Sequence, residues 1–165
     1  MFMNKRYLLG FLFLSFFISK SYSQPYELYQ TQNIHNQLKL NTRTGEVQQI
    51  QDDGQKFLVN EGITPENTKG KRYSLHETEN IWTYILVDEF FGKLYQVQYS
   101  VQGQEYRGIW YINSNSLSYT ETRKFSIKPL VSMYQFYLIN NENGEMWKFQ
   151  WSSKGEEYRW IEKVL

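Results

Sequence analysis

The chain has 165 residues, 18 of them basic and 17 acidic, for a net charge of only +1. Its basic residues are scattered among acids rather than gathered on one stretch, so it lacks the positive footprint that phosphate-backbone binding requires and nucleic acid is not an expected partner. There is no cysteine, which removes disulfides, thiolate metal sites and a lipid-modified cysteine anchor, and leaves the fold to be held by its core.

The N-terminus carries a targeting pattern. Lys5 and Arg6 form a short basic region, 7–18 is an apolar run, and Ser21-Tyr22-Ser23 places small residues where a signal peptidase reads. The run is too short for a comfortable membrane span, so residues 1–23 read as a cleaved secretory signal rather than an uncleaved anchor. Cleavage leaves 142 of the 165 residues, and losing Lys5, Arg6 and Lys20 takes the charge from +1 to −2. That length suits one domain, residues 24–165, able to bury roughly 68–70% of its unfolded surface. No other long apolar run follows, so the mature chain is expected to be soluble, without a transmembrane segment, and periplasmic or extracellular.

Internal self-similarity organises the rest. The stretch YELYQTQNIHNQLKLNTRTGEVQQIQ from Tyr26 lies without a gap on YSLHETENIWTYILVDEFFGKLYQVQ from Tyr73, and a further shift of 52 places that copy on the segment from Phe125. Shared positions include Asn33/Asn80, Gly45/Gly92/Gly144, Gln51/Gln98/Gln150 and the run Glu105-Tyr106-Arg107 with its copy at 157–159. Three repeats follow, about 26–72, 73–124 and 125–165. Within each the hydrophobic period is two: Tyr95, Val97 and Tyr99 alternate with Leu94, Gln96 and Gln98, and Trp147, Phe149 and Trp151 with Met146, Lys148 and Gln150. This predicts half-buried strands, four per repeat, in the second copy at about 73–78, 82–88, 93–100 and 105–112.

The turns agree. Asn41…Gly45, Asp88…Gly92 and Asn140…Gly144 hold the same repeat positions; the first residue caps the loop and the glycine supplies the positive φ needed to re-enter the next strand. The polar connectors 60–72 and 113–124 read as loops, and no helix is predicted beyond the signal. The fold class is therefore all-β: three four-stranded repeats, in either a pseudo-threefold, β-trefoil-like barrel or a propeller-like arrangement.

The repeat consensus Tyr-x-Leu-x-x-Thr-x-Asn-x-Trp, Asp/Asn-x-x-x-Gly and a Gln-x-Gln strand resembles a group of small secreted proteins of Bacteroidota type. These carry two or three copies of a segment like YPTxNMWTFxxLDTxTGxxWQVQ. The likeness covers most of 26–165 and is best at 73–100 and 133–152. The first copy departs from it at His35, where the second has Trp82, and at Gln48, where the third has Trp147. The third copy reads Leu130-Val131-Ser132 in place of Thr-x-Asn. The resemblance implies an origin and a repeat organisation and brings no catalytic residues. A shorter likeness, to propeller hairpins reading LDxxTGxxxW, adds little.

No catalytic constellation stands out. The adjacent pairs Asp52-Asp53, Asp88-Glu89 and Glu156-Glu157 would point to opposite faces of a strand, which does not make an acid/base dyad. Asp88 has amides as its repeat mates, which fits a turn cap and not a shared catalytic role. His35 and His76 occupy different repeat columns and do not form a metal-ligand pattern. No cofactor motif is present. The Gln51/Gln98/Gln150 column reads as a repeated cross-strand hydrogen bond before it reads as a sugar site. Glu105 and Arg107, two apart, are expected to share a strand face.

Aromatic side chains are the best binding candidates. Tyr84, Tyr95, Trp147 and Trp151 sit at strand periodicity and are expected in the core. Phe90, Phe91 and Trp110 are the candidate binding residues, the phenylalanines because they lie at a hairpin tip where the sibling repeats have polar residues. The expected function is non-catalytic binding of a protein or glycan partner, with self-association open. The alternative is a small glycan-active hydrolase, which would need two carboxylates unique to one repeat converging on a cleft. Glu61, Glu66, Glu77 and Glu79 occupy less repeated positions.

Overall fold

A computed structural model describes residues 25–64, 70–117 and 124–164. The secretory-signal reading of 1–23 lies outside the described residues. Twelve strands form three four-stranded antiparallel sheets. The first holds β1 (Tyr26–Gln30), β2 (Asn36–Asn41), β3 (Val47–Gln51) and β4 (Lys56–Asn60) in that order. The second holds β5 (Tyr73–Glu77), β6 (Thr83–Asp88), β7 (Lys93–Gln98) and β8 (Gly108–Asn113). The third holds β9 (Phe125–Pro129), β10 (Gln135–Asn140), β11 (Met146–Gln150) and β12 (Trp160–Lys163). Each repeat is one meander, paired only within itself among the described residues. The trefoil-like barrel is therefore not formed. Every repeat makes its ladder hydrogen bonds within its own sheet, and the sheets associate by their faces, as propeller blades do.

The stacking is head to tail. Leu38, Leu40 and Val47 of the first sheet meet Tyr73, Leu86, Tyr95 and Val97 of the second. The other face of the second sheet, with Ile85, Val87 and Leu94, meets Leu138, Trp147 and Phe149 of the third. Leu38, Leu40 and Val47 are the repeat mates of Ile85, Val87 and Leu94, so each repeat offers the same face to its successor. β6 is buried at every position, where the alternating pattern predicted a half-buried strand; the central sheet is covered on both sides. β11 keeps the alternation, with Trp147 and Phe149 buried between partly exposed neighbours. The outer faces of the end sheets are mixed: Tyr26 and Leu28 lie exposed on the first, and Tyr137, Ile139 and Met146 lie partly exposed on the third. Gln37, Lys39 and Gln48 stand where the middle repeat has Tyr84, Leu86 and Tyr95, and Lys148 stands where it has Gln96.

One end of the row carries the hairpins and the joints between repeats. The Asp88 carboxylate accepts from the Phe90 and Phe91 N–H groups at 3.1 and 3.3 Å, as the Asn41 amide oxygen does from Arg43 and Thr44 and that of Asn140 from Glu142. Gly45, Gly92 and Gly144 close these turns at φ 77°, 68° and 76°. Each tip then holds the start of the next repeat. The Tyr73 N–H donates to the Thr42 carbonyl and the Phe125 N–H to that of Glu89. The Tyr73 ring lies over Gly45 and the Phe125 ring over Gly92, so close that a Cβ would stand 3.2 and 3.0 Å away; a Cβ at Gly144, in the third repeat, meets nothing within 4 Å.

Candidate functional site

The opposite end carries the β1–β2 and β3–β4 loops and their counterparts. Seven of the thirteen exposed large hydrophobic residues among those described lie there: Ile34, Ile81, Val101, Tyr106, Val131, Tyr134 and Tyr158. The other six are Tyr26, Leu28, Leu58, Trp110, Tyr111 and Val164, on strands or at the C-terminal edge.

The local sequence builds this end. In the first two repeats the Thr-x-Asn pair shapes the turn. The Thr31 hydroxyl donates to the Asn33 and Asn36 carbonyls, and that of Thr78 to the Asn80 and Thr83 carbonyls. The Asn80 amide oxygen accepts from the Trp82 N–H at 2.9 Å and fixes that residue at the turn exit. In the third repeat, where Thr-x-Asn is missing, the Ser132 hydroxyl accepts from the Tyr134 N–H. The three exit residues, His35, Trp82 and Tyr134, each accept at their carbonyl from the residue that ends the neighbouring strand: Asp52, Tyr99 and Trp151.

Two clefts result, and they are repeats of one another. The second repeat has one of about 130 Å³, lined by Trp82, Gln98, Tyr99, Ser100, Val101, Gln102 and Tyr106. The third has one of about 200 Å³, lined by Tyr134, Gln150, Trp151, Ser152, Ser153, Lys154 and Tyr158. The shift of 52 maps every lining position of the first onto one of the second. The wall ring tilts against the floor ring in both: Trp82 on Tyr99 at 5.3 Å between centroids and 57°, Tyr134 on Trp151 at 5.1 Å and 49°. Tryptophan and tyrosine have exchanged places. The far wall is Tyr106 or Tyr158, 48% and 47% exposed.

The repeat pattern predicts one cross-strand hydrogen bond for all three members of the glutamine column; two of them donate instead to the carbonyl of a 3₁₀ turn, and these two also line the clefts. Gln98 donates to the Tyr106 carbonyl and Gln150 to the Tyr158 carbonyl, each at 3.1 Å. The Glu-Tyr-Arg run is not the start of a strand, as its period implied. Gln104–Tyr106 and Glu156–Tyr158 are 3₁₀ turns, and Glu105 folds back over Gly103, where a Cβ would meet its carboxylate at 2.3 Å. Arg107 does not pair along a strand face. Its Nε donates to the Gln49 amide oxygen of the first repeat at 2.8 Å and to the Ser100 carbonyl at 3.0 Å, and its guanidinium stacks on Phe57 at 4.2 Å. Burial pulls the Arg107 pKa down, against the attraction of Glu105.

The first repeat has no such cleft among those described. The offset between repeats grows from 47 residues at Val47/Leu94 to 53 at Asn60/Asn113, so its β3–β4 loop is six residues shorter and lacks a Tyr106 counterpart. In place of the wall and floor rings stand His35 and Asp52, joined Nδ1 to Oδ2 at 2.9 Å in solvent.

The three residues that sequence reasoning favoured lie elsewhere. Phe90 and Phe91 are half-buried at the hairpin end. The Arg72 guanidinium lies 4.5 Å from the Phe91 ring and 5.9 Å from that of Phe90, and the Phe91 carbonyl accepts from Leu117 of the connector. Arg72 also holds the buried Asp88 through two bonds, Nε to Oδ1 at 2.9 Å and Nη2 to Oδ2 at 2.6 Å. Burial opposes the Arg72 charge, but the Asp88 bonds outweigh it and its pKa is raised. Trp110 is exposed on β8 and covers Gly108. The structure does not bring Trp110 together with the phenylalanine pair.

A third cleft, of about 280 Å³, draws on all three repeats: Gln32 from the first, Glu77, Thr78 and Glu79 from the second, and residues of the third that include Leu130, Met133 and Phe136. Glu77 and Glu79, two of the less repeated carboxylates, share this cleft, and both are exposed. Among the described residues no three His, Asp or Glu side chains gather as a metal ion would need, and no helix is long and apolar enough to cross a membrane. No protein-family model matches the chain, and no curated protein matches it either.

Proposed function

We propose that this is an exported, non-catalytic β-repeat protein that binds a glycan or protein partner through the loop end of its sheet row. The observation that carries this reading is the duplicated cleft at that end, walled by exposed aromatic side chains, with seven of the thirteen exposed large hydrophobic residues among those described around it. Export rests on the N-terminal pattern of 1–23. The test is retention of the tagged mature protein on envelope polysaccharide and on envelope protein fractions. Wild type is retained by one of them, and the double variant Tyr106→Ala/Tyr158→Ala is not. Equal retention of the two proteins refutes the reading.

One observation favours a second reading, a glycan-active hydrolase: Glu77 and Glu79 share the largest of the three clefts. Against it, both carboxylates are solvent-exposed on one strand end, with no difference in burial to set a general acid apart from a base or nucleophile. Turnover of a polysaccharide that Glu77→Gln or Glu79→Gln abolishes would establish the hydrolase.

A further inference from the structure

We propose that the two repeated clefts are equivalent subsites for one neutral glycan chain, each holding a single sugar ring. This rests on the binding role of the loop end and names its ligand.

Four features of the clefts point to this chemistry. Their size, about 130 and 200 Å³, is below that of sites for drug-sized ligands, roughly 300–1,000 Å³, and suits one ring at a time. Each has an aromatic on either side, Trp82 and Tyr106 in one and Tyr134 and Tyr158 in the other. Such faces stack on the C–H face of a pyranose, while amides and hydroxyls take its equatorial oxygens. Those polar groups are present in matched pairs, Gln98/Gln150 and Ser100/Ser152.

The third feature is charge. The cleft of the second repeat is lined without any charged side chain. In its copy the one cation, Lys154, lies 5.8 Å from the centroid of the Tyr158 ring, so neither cleft is built around an ionic ligand. The fourth is duplication. Two adjacent sites with the same lining match a polymer of like units, since both can be filled by one chain. Sheets packed face to face lie about 10 Å apart, a spacing that alternate rings of an extended glycan can span, so about three rings bridge both clefts. A protein surface presents no such repeated unit. The exchange of tryptophan and tyrosine between wall and floor alters the shape of each cleft while keeping its ring faces, as stacking on a sugar allows.

The test is calorimetry and tryptophan fluorescence of the full mature protein with uncharged β-linked and α-linked gluco-, xylo- and manno-oligosaccharides of two to six rings. Leu28→Ser, on the outer face of the first sheet, serves as the unaffected control. With at least one series, Trp82 fluorescence responds, a disaccharide binds at two sites per chain, and affinity rises about 10-fold or more once the chain is long enough to bridge. Tyr106→Ala and Tyr158→Ala each reduce the disaccharide stoichiometry from two to one and abolish the rise with length. If no oligosaccharide binds, or if either variant leaves both quantities unchanged, the proposal is overturned. If at the same time Tyr106→Ala/Tyr158→Ala still abolishes retention on envelope protein, the loop end is a protein-binding surface and only the glycan assignment falls.

Discussion

The two ends of the sheet row are built from the same repeats and have diverged in opposite ways. At the hairpin end, repeat symmetry serves the joints: Asp/Asn caps the turn, glycine closes it, and the aromatic residue opening the next repeat packs on that glycine. That packing is missing at Gly144. At the loop end, symmetry serves two clefts, and it breaks at the first repeat, where a shorter loop and the His35–Asp52 pair replace the aromatic walls. A residue that departs from its repeat mates is therefore not functional by that fact alone. Phe90-Phe91 departs from its siblings at a tip where the Arg72 guanidinium, which holds Asp88, lies 4.5 Å from the Phe91 ring. Tyr106 and Tyr158 do not depart, yet they stand open to solvent.

This contrast can be broken most sharply at the Arg72–Asp88 pair, whose carboxylate is fully buried. Asp88→Ala removes the turn cap and leaves a mostly buried guanidinium unpaired, and is expected to cost about 3–5 kcal/mol in urea unfolding. Adding Arg72→Met should recover part of that loss, and a double variant no better than Asp88→Ala alone would show that the pair is not the source. Next in size, Gly92→Ala and Gly144→Ala both force alanine into positive φ, at about 1–2 kcal/mol. Only Gly92→Ala also pushes into the Phe125 ring, for about 1–3 kcal/mol more. Equal losses at the two glycines would deny that the hairpin tip is a joint.

Alkaline titration sharpens the comparison in another way. Burial raises the phenol pKa of Tyr73, Tyr84 and Tyr95 far above the ordinary value of 10.0. A phenol whose folded pKa lies above its unfolded one contributes stability that is fully present below about pH 10 and is lost as pH rises toward the folded value. Phenolate absorbance from these three should therefore appear only with unfolding, in one cooperative step. A gradual rise in the folded protein would contradict their burial. The smallest effect is expected at His35: the pair with Asp52 is exposed, so His35→Ala should change stability by about 0–1 kcal/mol and less at high salt.

Much of the fold was legible in the sequence. Gap-free self-similarity defined the repeats, period-two alternation the strands, and the spaced Asn/Asp…Gly signal the hairpins. The full burial of β6 was not, because alternation reports one covered face and the central sheet has two. The direction of stacking was present as a signal in Gln37, Lys39 and Gln48 against Tyr84, Leu86 and Tyr95, but only a comparison of end repeats with the middle one reveals it. The clefts were hidden for a different reason. Trp82 and Tyr106 come from separate loops, and the latter sits on a 3₁₀ turn that strand periodicity read as β. The Glu-Tyr-Arg run shared by two repeats and missing from the first was the available sign.

The division of labour between the two ends is tested most directly by measuring stability and partner retention together on Tyr106→Ala/Tyr158→Ala. These rings are nearly half exposed, so the unfolding midpoint should stay close to wild type, with a loss within about 0.5 kcal/mol per site, while retention on the envelope fraction disappears. An unchanged retention, or a loss of binding matched by a loss of folding, would contradict the assignment of binding to the loop end.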